Sequence, residues 1–232
     1  RNVCECLARV WRDVDVAAED DARPIFASVV GRDSIGKAIC SALDDIGVDT
    51  SHVKAMPDQR TAIYNAVLDA DGDLVAAIAD MDILDNIDVS MVQTVLENID
   101  GRPPLIIVDG NISEDALGVI CARWRDSGDT PSSTVPIWFE PTSVPKAIRV
   151  CSADVLPFVH LISPNLDELQ AIANALGIEE PGVPDLAISV AVHMSGKALT
   201  AGISPGNSTR RVLVTMGAGG VIVATAANGG AH

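Results

Sequence analysis

Residues 159–176 read VHLISPNLDELQAIANAL, and this stretch decides the fold. Val159 to Ile162 is a short apolar strand, Ser163-Pro164-Asn165 is a turn, and Leu166 to Leu176 has the composition and length of a helix. The same strand-then-helix rhythm stands on its N-terminal side, at Leu105–Val108 with Ser113–Arg125 and at Val135–Phe139 with Val144–Cys151. Nearly all residues of these strands are apolar, as strands covered on both faces must be. Further out, Ile25–Val30 ends at Gly31, and Ser34–Ile46 has helical periodicity with Ser34 as cap and Gly47 as stop. Thr61–Asp69 and Asp73–Asp80 flank Ala70-Asp71-Gly72, a short loop of the kind that closes a hairpin. A helix over Asp185–Leu199, a loop to Thr209, and strands Val212–Met216 and Val221–Thr225 complete the pattern. The prediction is an α/β layered sheet with a hairpin addition, without internal repeats.

Composition narrows the function. With 232 residues and 48% hydrophobic side chains, the chain can bury a sizeable core, which excludes a disordered or fibrous protein. Sixteen Lys and Arg against 32 Asp and Glu leave a net charge of −16, a poor surface for a nucleic-acid polymer. Aromatics at 3% also argue against stacking platforms for single strands. No apolar run approaches the ~20 residues of a membrane span. The five cysteines are odd in number, and Cys4 and Cys6 stand too close for a zinc knuckle, so reduced thiols in a cytoplasmic protein are expected. Arg1-Asn2-Val3-Cys4 opens no signal peptide, and the helical spacing of Val3, Leu7, Val10 and Trp11 begins without a preceding strand, so a truncated start is expected.

Several strings fail physical tests. Gly202-Ile203-Ser204-Pro205-Gly206 matches a nucleophile elbow, but Pro205 has no N–H to offer an oxyanion. Gly196-Lys197 lacks the glycine and the hydroxyl of a P-loop, having Ala191 and Ala198 at those places. Met216-Gly217-Ala218-Gly219-Gly220 runs into a strand, where a dinucleotide fingerprint needs a helix. His52, His160, His193 and His232 show no metal-ligand spacing.

Asn165 and Glu168 form a more coherent constellation. They stand about one turn apart at the carboxyl end of a strand, where open α/β sheets bind ligands. An amide and a carboxylate suit a hydrated Mg²⁺ that keeps waters and substrate phosphates. The same spacing also describes an N-capping arrangement, and both readings stay open here.

Taken together, these strings resemble the ribokinase-like (PfkB) carbohydrate and nucleoside kinases. Asn165-Leu166-Asp167-Glu168 resembles their Asn-x-x-Glu motif, Arg1–Cys4 the end of their N-terminal sugar-binding motif, and Gly31-Arg32-Asp33-Ser34-Ile35-Gly36 their Gly-x-Asp-x-x-Gly turn. Val214-Thr215-Met216-Gly217 with Gly220 resembles the strand and glycine turn beside the nucleotide. Four segments resemble the pseudouridine kinase branch: Ala77–Ile83, Asp109–Ser113, Phe139–Lys146 and Ile162–Asn165. The resemblance implies a three-layer α/β/α sandwich, a single truncated domain over 1–232, with 61–80, and optionally 53–56, as a β lid. It implies ATP- and Mg²⁺-dependent phosphorylation of the 5′-hydroxyl of pseudouridine, with ribose, adenosine or another sugar as the alternative acceptor. By resemblance Asn2, Thr61, Asp80, Met81 and Asn111 address the substrate, while Lys146, Asn165, Thr215, Gly217 and Gly220 address the nucleotide and Glu168 the metal. Lys146 reads equally as a solvated helix residue. The family's catalytic Asp, in a Gly-Ala-Gly-Asp motif, would lie beyond His232, so this chain alone is expected to turn over poorly. A homodimer through the apolar hairpin face, or a non-catalytic ligand-binding module, is the further alternative.

Overall fold

The turn that follows the first strand sets the local geometry of the N-terminal region. The computed structural model describes residues 2–13, 23–72, 74–99, 101–124, 135–201, 209–227 and 230–231. The chain divides into two units, Arg1–Ile87 and Asp88–His232.

In the first unit, α1 (Asn2–Asp13) buries Ala8 in a small core with Leu43 and Val48, around which Cys4, Phe26, Ile39 and Ile46 pack. Strand β1 (Ser28–Gly31), helix α2 (Ser34–Asp44) and strand β2 (Val53–Met56) follow, β2 running parallel to β1 with Ser28 opposite Val53 and Gly31 opposite Met56. Parallel neighbours need a crossover, and α2 supplies it. The expected strand from Ile25 is shorter, because Ile25 makes only an isolated bridge to Asp49. The cap of α2 is Asp33, not Ser34. The Asp33 backbone is extended and its Oδ1 accepts the Gly36 N–H at 2.7 Å, so Ser34 is already the first helical residue. Strands β3 (Ile63–Leu68) and β4 (Leu74–Asp80) form the expected antiparallel hairpin, pairing from Ile63 with Asp80 to Leu68 with Leu74. Gly72 in its turn has φ +89°, a conformation that favours glycine. The hairpin is a two-stranded sheet by itself, whereas residues 53–56 belong to the sheet of β1.

The second unit opens with α3 (Val89–Asn98), to which the sequence reading assigned no element. Asp88 caps it by accepting the Met91 N–H at 2.8 Å, and Met91, Val92 and Leu96 bury its inner face. Next come β5 (Ile106–Asp109), α4 (Glu114–Arg123), β6 (Ile137–Glu140), α5 (Val144–Ala147), β7 (Leu161–Ile162), α6 (Leu166–Leu176), α7 (Val183–Thr200), β8 (Arg210–Thr215), β9 (Val221–Ala227) and β10 (Gly230–Ala231). The predicted helix over 144–151 is one α turn that continues as a 3₁₀ turn over Ile148–Cys151. The sheet order is β10-β9-β8-β7-β6-β5, parallel from β5 to β8 and antiparallel from β8 to β10. Val108, Phe139, Ile162, Val212 and Val214 form its buried spine, and Leu117, Leu169, Ile172, Val190 and Met194 of the helices are buried as well. This is the mixed α/β architecture that the apolar strands predicted.

Gly196 and Lys197 lie inside α7, so no phosphate loop exists there. The Gly202–Gly206 string, Arg1, His232 and most of the acidic connector lie outside the described residues. Among the described residues no helix is long and apolar enough to cross a membrane. No disulfide joins any of the five cysteines.

Candidate functional site

In the second unit, the carboxyl ends of β5 to β8 carry most of the predicted nucleotide and metal residues. After β7, Asn165 Oδ1 accepts the Glu168 N–H and Glu168 Oε2 accepts the Asn165 N–H, each at 2.9 Å. The capping arrangement therefore forms as a complete capping box. It engages only one carboxylate oxygen of Glu168, whose side chain is buried, and leaves the Asn165 amide nitrogen available. The neighbouring strand end is tied to the same place. Thr215 N–H donates to Pro164 O at 3.0 Å, and Asn165 and Thr215 form a parallel bridge. Beyond Thr215 the chain closes a turn in which Met216 N–H donates to Gly220 O at 2.9 Å. Gly217 and Gly220 take φ of +54° and +87°, and β9 follows directly, so no helix N-terminus faces the glycines. Thus Asn165, Glu168, Thr215, Gly217 and Gly220 lie at or beyond the carboxyl ends of the neighbouring strands β7 and β8.

Carboxylates accumulate beside them. Asp109 ends β5 and Glu140 ends β6 in register. Burial pushes the Glu140 carboxyl upward; its Ser163 hydrogen bond opposes that, and the Glu168 and Asp109 charges add to it. Trp138 Nε1 donates to Ser163 Oγ at 2.5 Å, which leaves the Ser163 hydroxyl proton to be donated to Glu140 Oε2. Among the described residues no three His, Cys, Asp or Glu side chains form a closed metal cage.

The β5–α4 turn is locked from the segment after β6. Gly110 N–H donates to Glu140 O at 2.7 Å, and a Cβ on Gly110 would stand 2.2 Å from Pro141 O. Arg149 Nη1 donates to Gly110 O at 2.7 Å and Ile112 O at 2.5 Å, and Asn111 N–H donates to Asp109 Oδ1 at 2.8 Å. Lys146 Nζ donates to Asn111 Oδ1 at 2.5 Å, so a residue expected at the nucleotide and one expected at the substrate meet directly. Thr142, between Glu140 and Lys146, has φ +65°, an uncommon backbone for a β-branched residue. Sequence reasoning missed Arg149 and Ser163. Their partners are 23 to 39 positions away, and no local spacing marks them.

In the first unit, Thr61 is 2% exposed. Its hydroxyl donates to Asp33 Oδ1 at 2.7 Å and accepts the Gly31 N–H at 2.9 Å, while its own N–H donates to Asp33 Oδ2 at 2.8 Å. These bonds and the one from Gly36 hold the Asp33 carboxyl down at about 2. Cβ atoms on Gly31 and Gly36 would meet Gln59 O at 2.5 Å and Gly31 O at 2.4 Å. Each fixed position of the Gly-x-Asp-x-x-Gly string thus has a steric or hydrogen-bonding cause, and Asp33 is the hub that the site prediction omitted. Asp80 pairs with Arg60 at 2.9 Å, Met81 is half-buried, and Asn2 is exposed at the first residue of α1. Tyr64, Val67, Leu68, Val75 and Ile78 of the hairpin are exposed.

Residues 1–232 match the pfkB family carbohydrate kinase throughout, so the chain belongs to that family. It is 30% identical over 177 residues to a pseudouridine kinase of Arabidopsis thaliana, covering 76% of this chain and 41% of that protein. It is 28% identical over 195 residues to a pseudouridine kinase of Escherichia coli K12, covering 84% and 54%. The chain therefore spans about half the length of these relatives. The fold matches that of the ribokinase from Giardia lamblia, with a TM-score of 0.68 at 17% identity over 100% of this chain and 63% of that one.

Proposed function

We propose that the protein transfers the γ-phosphate of ATP to the 5′-hydroxyl of pseudouridine with the aid of Mg²⁺. The observation that carries this reading is the likeness, over most of the chain, to relatives that are themselves named pseudouridine kinase. It is strengthened by the contact between Asp109–Ser113 and Phe139–Lys146, two of the segments that resemble that branch.

Phosphoryl transfer asks chiefly for alignment and charge neutralisation. One Glu168 oxygen stands outside the capping box, and an oxygen donor fits a hard divalent ion that keeps its waters and phosphate ligands. Glu168, through its oxygen outside the capping box, and Asn165, through the second lone pair of Oδ1, would hold Mg²⁺, which when bound would offset charge on the transferring phosphates. The Ser163 hydroxyl donates to Glu140 Oε2, which opposes the upward push that burial gives this carboxyl. Thr215, Gly217 and Gly220 would lie along the nucleotide, and the ammonium of Lys146 has N–H groups beyond the one that holds Asn111. Asn2, Thr61, Asp80 and Met81 would serve the nucleoside. The Thr61 hydroxyl also accepts from the Gly31 N–H and donates to Asp33, which anchors the root of the hairpin. Residues 61–80 act as a lid within one ribokinase-like domain, and their exposed apolar side chains offer a face for a homodimer.

The test is ADP release by the protein of the complete open reading frame, with pseudouridine, uridine, ribose and adenosine as acceptors. Pseudouridine-dependent ATP consumption with product mass consistent with a 5′-monophosphate is expected. A preference for ribose or adenosine, or no pseudouridine-dependent consumption, refutes the substrate assignment.

A further inference from the structure

We propose that Asn111 selects the nucleoside by presenting amide N–H donors to an acceptor oxygen of the ligand, and that Lys146 is the positioning residue that fixes this orientation. The proposal rests on the nucleoside-kinase reading above and adds the polarity of one contact within it.

An asparagine amide can be turned either way, and its neighbours must decide which end is which. Here the neighbour is an ammonium, which can only donate, at 2.5 Å. The atom that faces Lys146 must therefore be the carbonyl oxygen, and Nδ2 is left pointing elsewhere. Four other groups of the turn are already engaged. Arg149 takes the carbonyls of Gly110 and Ile112, Glu140 O takes the Gly110 N–H, and Asp109 takes the Asn111 N–H. Among the described residues Nδ2 makes no hydrogen bond, and Asn111 is half-buried. At this side chain the turn offers a pair of amide donors beside an ammonium. Their complement is an oxygen with lone pairs, either a base carbonyl or a ribose hydroxyl. A ligand without that oxygen leaves the donors unsatisfied.

The experiment is calorimetric titration of the 232-residue chain with pseudouridine and with analogues lacking the base 2-carbonyl, the base 4-carbonyl, the 2′-hydroxyl or the 3′-hydroxyl. One analogue is expected to bind about tenfold more weakly, the effect of one neutral hydrogen bond, and its identity tells base from ribose. Asn111→Asp, which has no donor, abolishes that ratio. Lys146→Met frees the amide to turn and also abolishes it, while Lys146→Arg, again a pure donor, restores it. A merely structural role would weaken all ligands alike and leave the ratio standing. If Asn111→Asp fails to fold, the Met and Arg pair at 146 carries the test. The proposal is overturned if the tenfold ratio survives Asn111→Asp or Lys146→Met, or if no analogue loses affinity. A ratio that depends on Asn111 but appears with a nucleoside other than pseudouridine supports this proposal and refutes the substrate assignment. Failure of the wild-type chain to bind any nucleoside overturns both.

Discussion

Replacing Gly110 with alanine tests the claim that the β5–α4 turn is held by backbone contact with the strand-end segment of β6. The added Cβ would stand 2.2 Å from Pro141 O and 3.1 Å from Lys146 Cβ, whereas real Cβ atoms keep at least 3.0 Å from such neighbours. Two backbones must separate by about 0.8 Å, because the nearest obstacle is a main-chain carbonyl and not a flexible side chain. Overpacking of this kind costs about 1–3 kcal/mol. Loss of the Gly110 N–H to Glu140 O bond adds about 1 kcal/mol, and the smaller entropy of the unfolded alanine chain returns about 0.4–1 kcal/mol. The net destabilisation is about 1–3.6 kcal/mol, which for a chain of this size lowers Tm by roughly 2–14 °C. Gly118→Ala is the matched control. Gly118 sits in the interior of α4 with nothing within 4 Å of its added Cβ, so helix propensity alone should raise Tm by roughly 1–4 °C. Thermal unfolding followed by circular dichroism reads both. Equal melting of Gly110→Ala and wild type would refute the close approach. A Gly118→Ala loss would refute the open helix face.

Asp33 should make acid stability pH-dependent. Its folded pKa is lowered from 3.8 to about 2, so its contribution is present above 3.8 and disappears as pH falls through about 2. The Tm gap between wild type and Asp33→Asn should accordingly shrink from pH 5 to pH 2, and a constant gap would contradict the linkage. Asn165→Ala removes the cap of α6 and should cost about 1 kcal/mol in unfolding titrations. Glu168→Gln keeps an acceptor for the Asn165 N–H, so it should retain nearly all of that stability while losing Mg²⁺-supported turnover in the protein of the complete open reading frame; equal loss of both would reduce Glu168 to a cap. Cys6 is exposed, whereas Cys121 is buried and burial pushes the Cys151 thiol up to about 11. Alkylation at neutral pH followed by mass mapping should mark Cys6 first and Cys121 and Cys151 only on unfolding.

The strand-helix alternation, the hairpin and the capping box at Asn165 and Glu168 were legible in the amino-acid order, because each depends on residues within a few positions of one another. Periodicity told covered strands from amphipathic helices, and a four-residue spacing sufficed to bring an amide and a carboxylate together. Helix α3 was equally local, with Asp88 as cap ahead of Met91, Val92 and Leu96, and was overlooked although its signal was present. The contacts that give the candidate site its polarity were not legible. Lys146 reaches Asn111 across 35 positions, Arg149 reaches Gly110 across 39, Ser163 reaches Glu140 across 23, and Thr61 reaches Asp33 across 28. Those meetings depend on the parallel register that sets Asp109 opposite Glu140 and Phe139 opposite Ile162, on the absence of a Cβ at Gly110, and on the direction each side chain takes from its own turn. Local spacing carries no information about register between distant strands, so only the folded chain could decide which oxygen faces which cation.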